Sequence, residues 1–204
     1  TEGNSFMTKD MTIGRPIKLI LGFSIPLFFG NIFQQLYSMV DAIIVSKTLG
    51  EDPFAAVGAT GSITFFIFGF CFGISSGFSI PISQAFCAKD YGMLKKLAGN
   101  IVWLYLIISV IVTSVTSVFC RNILELMNTP PDLMDLSYDY LIVIFIGLPA
   151  MFLYNTLSGI MRSLGDSKTP VIFLIISSAL NIVLDFLFIV PFKMGIPGAA
   201  WATI

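Results

Sequence analysis

Long apolar runs dominate this sequence and limit what it can fold into. Five of them, each more than twenty residues long and almost free of charge, cover residues 17–45, 54–86, 97–119, 136–161 and 169–190. About twenty apolar residues in an α-helix cross the hydrocarbon core of a bilayer. Because lipid offers no partner to the backbone, a spanning segment of this kind must be a helix. We therefore predict an all-α integral membrane protein.

Composition agrees with this prediction and excludes several functions. Hydrophobic residues make up 56% of the chain and charged residues only 11%, against about a quarter charged in soluble domains. The net charge of −1 argues against binding nucleic acid. There is no His, which excludes His-ligated metals and His bases. No nucleotide-binding GxxxxGK[ST] loop is present, so we expect neither ATP hydrolysis nor a cofactor. Cys71, Cys87 and Cys120 are expected to be free and buried.

The chain is predicted to have two parts. Residues 1–15 form a polar tail, and residues 16–204 form one transmembrane lobe of five full helices and the start of a sixth. The sixth helix follows Pro197 and covers only about two turns, too few to cross roughly 30 Å. We expect a lobe truncated early in its sixth helix. Sequence beyond Ile204 would distinguish a fragment from a half-size protein.

The distribution of basic residues predicts the orientation in the membrane. Eight of the eleven fall at one set of helix ends: Lys9, Arg15, Lys18, Lys89, Lys95, Lys96, Arg162 and Lys168. Lys47, Arg121 and Lys193 fall at the other ends. Lys and Arg are enriched in cytoplasmic loops. We therefore predict a multi-pass protein of the cell membrane with a cytoplasmic N-terminus.

Two carboxylates stand inside the apolar runs. Placing Asp41 or Asp185 at such a depth costs at least about 2.5 kcal/mol, so intramembrane carboxylates usually have a function. Gln34, Tyr37 and Asp41 follow i, i+3, i+7 spacing, and Asn181 and Asp185 are four apart. Each set therefore lines one face of its helix. The alternative is that both carboxyls simply fix helix packing through hydrogen bonds.

The depths of these polar side chains are similar. Asp41 and Asp185 each lie past the midpoint of an outward-running span, Thr203 reaches a similar depth on the descending sixth helix, and Tyr140 lies near the outer end of its span. Oxygen-rich clusters of this kind suit a proton or a hard cation such as Na⁺. Elsewhere, Pro26 should kink the first helix, and the ridge of Gly69, Gly73 and Gly77 should let another helix pack closely.

Five segments form a recognisable pattern. They are residues 26–41 (PLFFGNIFQQLYSMVD), 55–60 (AAVGAT), 84–90 (QAFCAKD), 162–170 (RSLGDSKTP) and 181–185 (NIVLD). Together they resemble the multidrug and toxic compound extrusion (MATE) transporters over nearly the whole chain. Two departures are Ser46-Lys47, where Gly-Arg is usual, and Cys87, where Gly is usual.

The resemblance implies an architecture and a function. The family has twelve helices in two six-helix lobes, and this chain would be the N-terminal lobe. A MATE transporter exports organic cations and other amphipathic drugs in antiport with H⁺ or Na⁺, so its partners would be small molecules, the bilayer and the C-terminal lobe. The resemblance assigns cation binding, including Na⁺, to Asp41, Asn181, Asp185 and Thr203, with Tyr140 adjoining. It assigns substrate contact to Gln34, Tyr37 and Asn155, and Pro26 is the plausible hinge.

Three other interpretations remain open. A lipid-linked sugar flippase has a similar helix count, but it should show a more cationic cavity to hold phosphates. An intramembrane aspartyl protease also needs two Asp residues, but its Tyr-Asp and Gly-x-Gly-Asp signatures are absent around Asp41 and Asp185. The chain could also be a truncated half that binds cations without transport. The sequence does not identify the substrate, the coupling ion or the oligomeric state.

Overall fold

The computed structural model describes residues 15–204, and within this range the chain is helical and contains no β-strand. The predicted tail, with Lys9, lies outside these residues apart from Arg15. The helices in chain order are α1 (Pro16–Leu49), α2 (Glu51–Cys87), α3 (Tyr91–Val118), α4 (Cys120–Leu126), α5 (Pro131–Ser163), α6 (Lys168–Ile189) and α7 (Ile196–Thr203). Helices α1, α2, α3, α5 and α6 are long and apolar enough to cross a membrane. The prediction of five spanning helices is confirmed.

Local signals explain where the helices begin. Asp90 precedes α3 and accepts a hydrogen bond from the Met93 backbone N–H at 2.9 Å, which satisfies one of the free donors of a helix N-terminus. Asp166 serves α6 similarly, because its Oδ1 accepts from the backbone N–H groups of Lys168 and Thr169, both at 3.0 Å. Helix α5 begins with Pro131, whose missing N–H would have had no partner there.

Helix α5 is the centre of the bundle. In the most apolar 18-residue stretch of α5, 50% of the residues are buried, whereas the same share is 11–22% in the other four spanning helices. Leu141, Ile144 and Phe145 are fully buried and Leu148 is nearly so. Helix α5 packs against α2, α3, α6 and α7, and α1 packs mainly along α6. The short α4, which was not predicted, closes the core with the buried Cys120 and Leu124.

Glycines allow the closest helix contacts. A Cβ atom on Gly30 of α1 would meet the Val171 side chain of α6 at 3.1 Å. One on Gly159 of α5 would lie 2.6 Å from the Ser79 hydroxyl oxygen of α2. Both distances are shorter than ordinary van der Waals contact. Small residues at these crossings therefore bring α1 to α6 and α2 to α5.

Helix α2 differs from two predictions, one about its glycine ridge and one about Cys87. Gly69, Gly73 and Gly77 are exposed, and within residues 15–204 nothing would lie within 4 Å of a Cβ on any of them. The predicted packing is wrong within this part of the chain, because α5 covers the opposite face of α2. Cys71 and Cys120 are free and buried as predicted. Cys87 is free but exposed, because it ends α2 where the polar loop begins.

Candidate functional site: a carboxyl pair and two adjoining cavities

The two intramembrane carboxyls lie next to each other. Helices α1 and α6 pack side by side, and the side chains of Asp41 and Asp185 are within hydrogen-bonding reach. Asp185 is 0% exposed. Asp41 Oδ1 and both Asp185 carboxyl oxygens are buried without a donor among the described residues. Two charged carboxylates in this arrangement would repel each other and lose hydration. The pair therefore fits a shared proton or a bound cation.

An amide and a hydroxyl extend this oxygen-rich cluster. Asn181, one turn before Asp185 on α6, donates from Nδ2 to the Ala202 carbonyl at 3.0 Å. Its Oδ1 is buried without a donor among residues 15–204. The Thr203 hydroxyl donates to the Ala199 carbonyl at 2.9 Å, which leaves its lone pairs available to a cation. The Asn181 contact ties α7 to α6 and brings Thr203 into the cluster.

Tyr140 adjoins the pair from α5. Its side chain is 8% exposed and lies close enough to Asp41 and Asp185 for direct electrostatic interaction. The structure thus places Tyr140 near Asp41 and Asp185, and Asn181, one turn from Asp185, shares a cavity lining with Thr203. Their role in binding an ion remains a prediction.

Two adjoining cavities lie beside Asn181 and Thr203. The smaller, about 150 Å³, is lined by Asn181 and Thr203. The larger, about 300 Å³, contains the three residues predicted to face substrate: Gln34, Tyr37 and Asn155. Tyr37, Ser177 and Thr203 line both cavities. A molecule in the larger cavity would therefore contact Thr203, one of the ion-binding candidates.

The sequence analysis missed several polar residues of these cavities. Ser178 precedes Asn181 by three positions and Asp185 by seven, and the same i, i+3, i+7 rule should have identified it. Asn31 lines the larger cavity three residues before Gln34. Arg162 also lines it, although the sequence analysis counted this residue as a basic helix end and as part of the 162–170 segment, and not as a cavity residue. A sequence pattern does not show whether a side chain at the end of a helix, such as that of Arg162, faces a cavity.

The donors in the cluster are oxygen atoms of mixed type. Among residues 15–204, no group of three or more His, Cys, Asp or Glu side chains is placed to hold a metal ion. Two carboxyls, an amide carbonyl and a hydroxyl are instead the ligand types that hard cations such as Na⁺ prefer. The same carboxyls are proton acceptors, so the geometry fits either ion.

Comparison with known proteins gives one consistent match. The MatE family model matches residues 26–187. The chain is 36% identical over 186 residues to the probable multidrug resistance protein YoeA of Bacillus subtilis, covering 89% of this chain and 40% of the relative. It is 32% identical over 195 residues to the probable multidrug resistance protein YpnP of the same organism, covering 96% and 44%. The chain thus spans about two fifths of the length of these relatives.

A solved structure matches the fold as well. The outward-facing conformation of a multidrug resistance MATE family transporter superposes with a TM-score of 0.87 at 32% identity. The match covers 93% of this chain and 42% of the other. The similarity therefore extends to how the helices are arranged.

Proposed function

Because the chain belongs to the MATE family of multidrug efflux transporters, we propose that it forms the N-terminal lobe of a secondary transporter. The transporter exports organic cations or amphipathic drugs from the cell in antiport with H⁺ or Na⁺. The chain carries the ion site at Asp41, Asn181, Asp185 and Thr203, with Tyr140 adjoining. The observation that carries this proposal is the Asp41–Asp185 pair, whose buried carboxyl oxygens have no donor among the described residues, close to Asn181, which lines the smaller cavity.

Coupling follows from competition for negative charge. Without a bound ion, the pair presents negative charge beside the larger cavity and attracts the cationic group of a substrate near Tyr37. A proton or Na⁺ bound by the pair removes this attraction, and the substrate is released. For transport, the ion must bind one conformation better than the other, since equal affinity shifts no equilibrium. Uptake of the ion from outside and release inside then drives export.

Pro26 is the proposed hinge. It lies inside α1 and lacks the N–H that would bond to the Gly22 carbonyl, so α1 bends there at lower cost than elsewhere. The same helix carries Gln34, Tyr37 and Asp41 on one face. Bending of α1 would move substrate contacts and ion ligand together.

The proposed partner of this lobe is a second lobe of similar size. Only Gly30 and Val45 of α1 are buried, and the Gly69, Gly73 and Gly77 ridge of α2 is open. The small residues of the α2 ridge suit a closely packed helix, whereas lipid alone gains nothing from them. We propose that the C-terminal lobe faces α1 and α2 across the substrate path.

Gradient-driven efflux tests this function. The full-length protein, reconstituted with an imposed H⁺ or Na⁺ gradient, should export a fluorescent cation such as ethidium. Asp41→Asn and Asp185→Asn remove the negative charge with little change in shape, and each should lower export at least tenfold. The exposed Asp132→Asn should leave it unchanged. Export at the wild-type rate in both buried variants would exclude the proposed ion site, and comparing the two gradients identifies the ion.

A further inference from the structure

The larger cavity contains one charged side chain, and it is basic. Arg162 is half-buried at the C-terminal end of α5 and lines this cavity. The other polar residues that line it are neutral amides, phenols and hydroxyls. Within residues 15–204, Arg162 forms no ion pair. A partly desolvated guanidinium without an anionic partner attracts a carboxylate or phosphate.

Arg162 and the carboxyl pair lie toward opposite ends of the bundle. On α5, Arg162 follows Tyr140, the neighbour of the carboxyl pair, by twenty-two residues, which is about 33 Å along a helix. Asn155 lies between them on the face of Arg162, seven residues earlier. The cavity that Arg162 lines continues to Tyr37 and Thr203. A molecule in it therefore meets positive charge at one end and the carboxyl pair beyond the other.

Nearby donors and acceptors are largely committed to structural contacts. The Tyr154 hydroxyl donates to the Pro170 carbonyl at 3.1 Å, and Asn155 Nδ2 donates to the Met151 carbonyl at 2.9 Å. The neighbouring carboxylate of Asp166 accepts from the first backbone N–H groups of α6. The Arg162 guanidinium is thus the strongest donor that faces the cavity.

The rest of the lining is apolar and adaptable. Phe72, Met151 and Leu174 contribute to it, and a flexible Met side chain accommodates ligands of different shape. At about 300 Å³ the cavity has the size of a small-molecule site. Since it lies between α1, α5 and α6, its occupant would contact side chains of all three helices.

We propose that Arg162 binds the carboxylate or phosphate of an amphipathic substrate whose apolar body fills the larger cavity. This rests on the proposed function, and it narrows the substrate class from simple cations to molecules that also carry an anionic group. A cationic group on the same molecule would point toward the carboxyl pair.

Two dyes that differ at one group test the proposal. Rhodamine 110 carries a free carboxylate, and rhodamine 123 is its methyl ester. Fluorescence anisotropy gives the affinity of the purified full-length protein for each. Arg162→Gln should weaken rhodamine 110 binding roughly tenfold or more, as expected for a charge-assisted hydrogen bond, and leave rhodamine 123 within about twofold. Arg162→Lys should retain part of the preference. Lys168→Gln removes an exposed positive charge outside the cavity and should change neither affinity.

Equal losses for both dyes in Arg162→Gln, or no loss for either, would overturn the proposal. A second arm tests whether Arg162 binds a dissolved substrate or a lipid headgroup. The same dye-binding measurement is made in nanodiscs with and without the anionic lipid phosphatidylglycerol. Anionic lipid that displaces rhodamine 110 from wild type but not from Arg162→Gln would assign the guanidinium to a headgroup and overturn the substrate assignment. If gradient-driven efflux fails but the Arg162-dependent preference for rhodamine 110 persists, only the antiport proposal is refuted. If efflux persists but that preference is absent, only the proposed role of Arg162 is refuted.

Discussion

At the residue scale, a proposed ion ligand and a proposed substrate contact line different cavities. Asn181 lines the smaller cavity and Asn155 the larger. Both amides donate to a backbone carbonyl, but only the Oδ1 of Asn181 is buried without a donor in the part of the chain described. The same type of side chain, an asparagine, therefore lies beside the proposed ion site at position 181 and in the proposed substrate cavity at position 155.

This separation predicts that variants at Asn181 and Asn155 change different kinetic parameters of transport. Asn181→Ala removes an ion ligand, so it should raise the H⁺ or Na⁺ concentration that drives half-maximal export several-fold. Asn155→Ala should raise the substrate concentration for half-maximal export and leave the ion dependence unchanged. Transport kinetics in proteoliposomes at varied ion and drug concentrations measure both. Identical changes in the two variants would contradict the assignment.

At the scale of helices, the effect of adding a side chain at a glycine depends on which residues of a neighbouring helix face that glycine. Gly159 faces Ser79 across the α2–α5 contact, whereas Gly73 on the open ridge faces nothing within residues 15–204. A side chain at Gly159 must displace the Ser79 hydroxyl or move the helices apart, and overpacking of this kind costs about 1–3 kcal/mol. The effect of a mutation thus follows from the contact and not from the residue type.

Matched valine substitutions test this difference in residues 1–204 purified alone. Gly159→Val should lower the midpoint of thermal unfolding in detergent by several degrees. Gly73→Val adds the same side chain at an exposed position of α2 and, in the same detergent, should leave the midpoint nearly unchanged. In the full-length protein, Gly73→Val should become destabilising if a second lobe packs on the ridge. An unaffected Gly159→Val midpoint would argue against the α2–α5 contact.

The helices were predictable because hydropathy and length determine which segments enter lipid. The meeting of Asp41 and Asp185 was anticipated from their depths, but depth does not specify which helices are neighbours. Which side of α2 packs on α5 also depends on contacts distant in sequence, so the exposed Gly73 ridge was not foreseen. The same limit applies to Arg162, whose place in the cavity depends on how α5 meets α6.

At the scale of the whole molecule, the chain is a membrane lobe whose orientation rests on the charge distribution. The cysteines provide a direct test. Cys87 is exposed at the end of α2, while Cys71 and Cys120 are buried. Burial raises the pKa of the Cys120 thiol to about 11, which keeps it protonated and unreactive near neutral pH.

A membrane-impermeant maleimide should therefore label Cys87 only when it reaches the cytoplasmic side. We expect labelling in inside-out vesicles and none in intact cells, with Cys87→Ser as the blank. Labelling of wild type in intact cells would reverse the predicted orientation.

The central claim is that substrate and coupling ion compete at Asp41 and Asp185. The most direct measurement is ion displacement from the purified full-length protein on addition of a cationic drug. Proton release is read with a pH indicator in weak buffer, and Na⁺ release with ²²Na⁺. We predict that wild type releases one of these ions in proportion to the drug bound, and that Asp41→Asn combined with Asp185→Asn, which leaves the pair neutral, binds the drug more weakly and releases neither ion. Equal release from wild type and the double variant, or release from neither, would contradict the account.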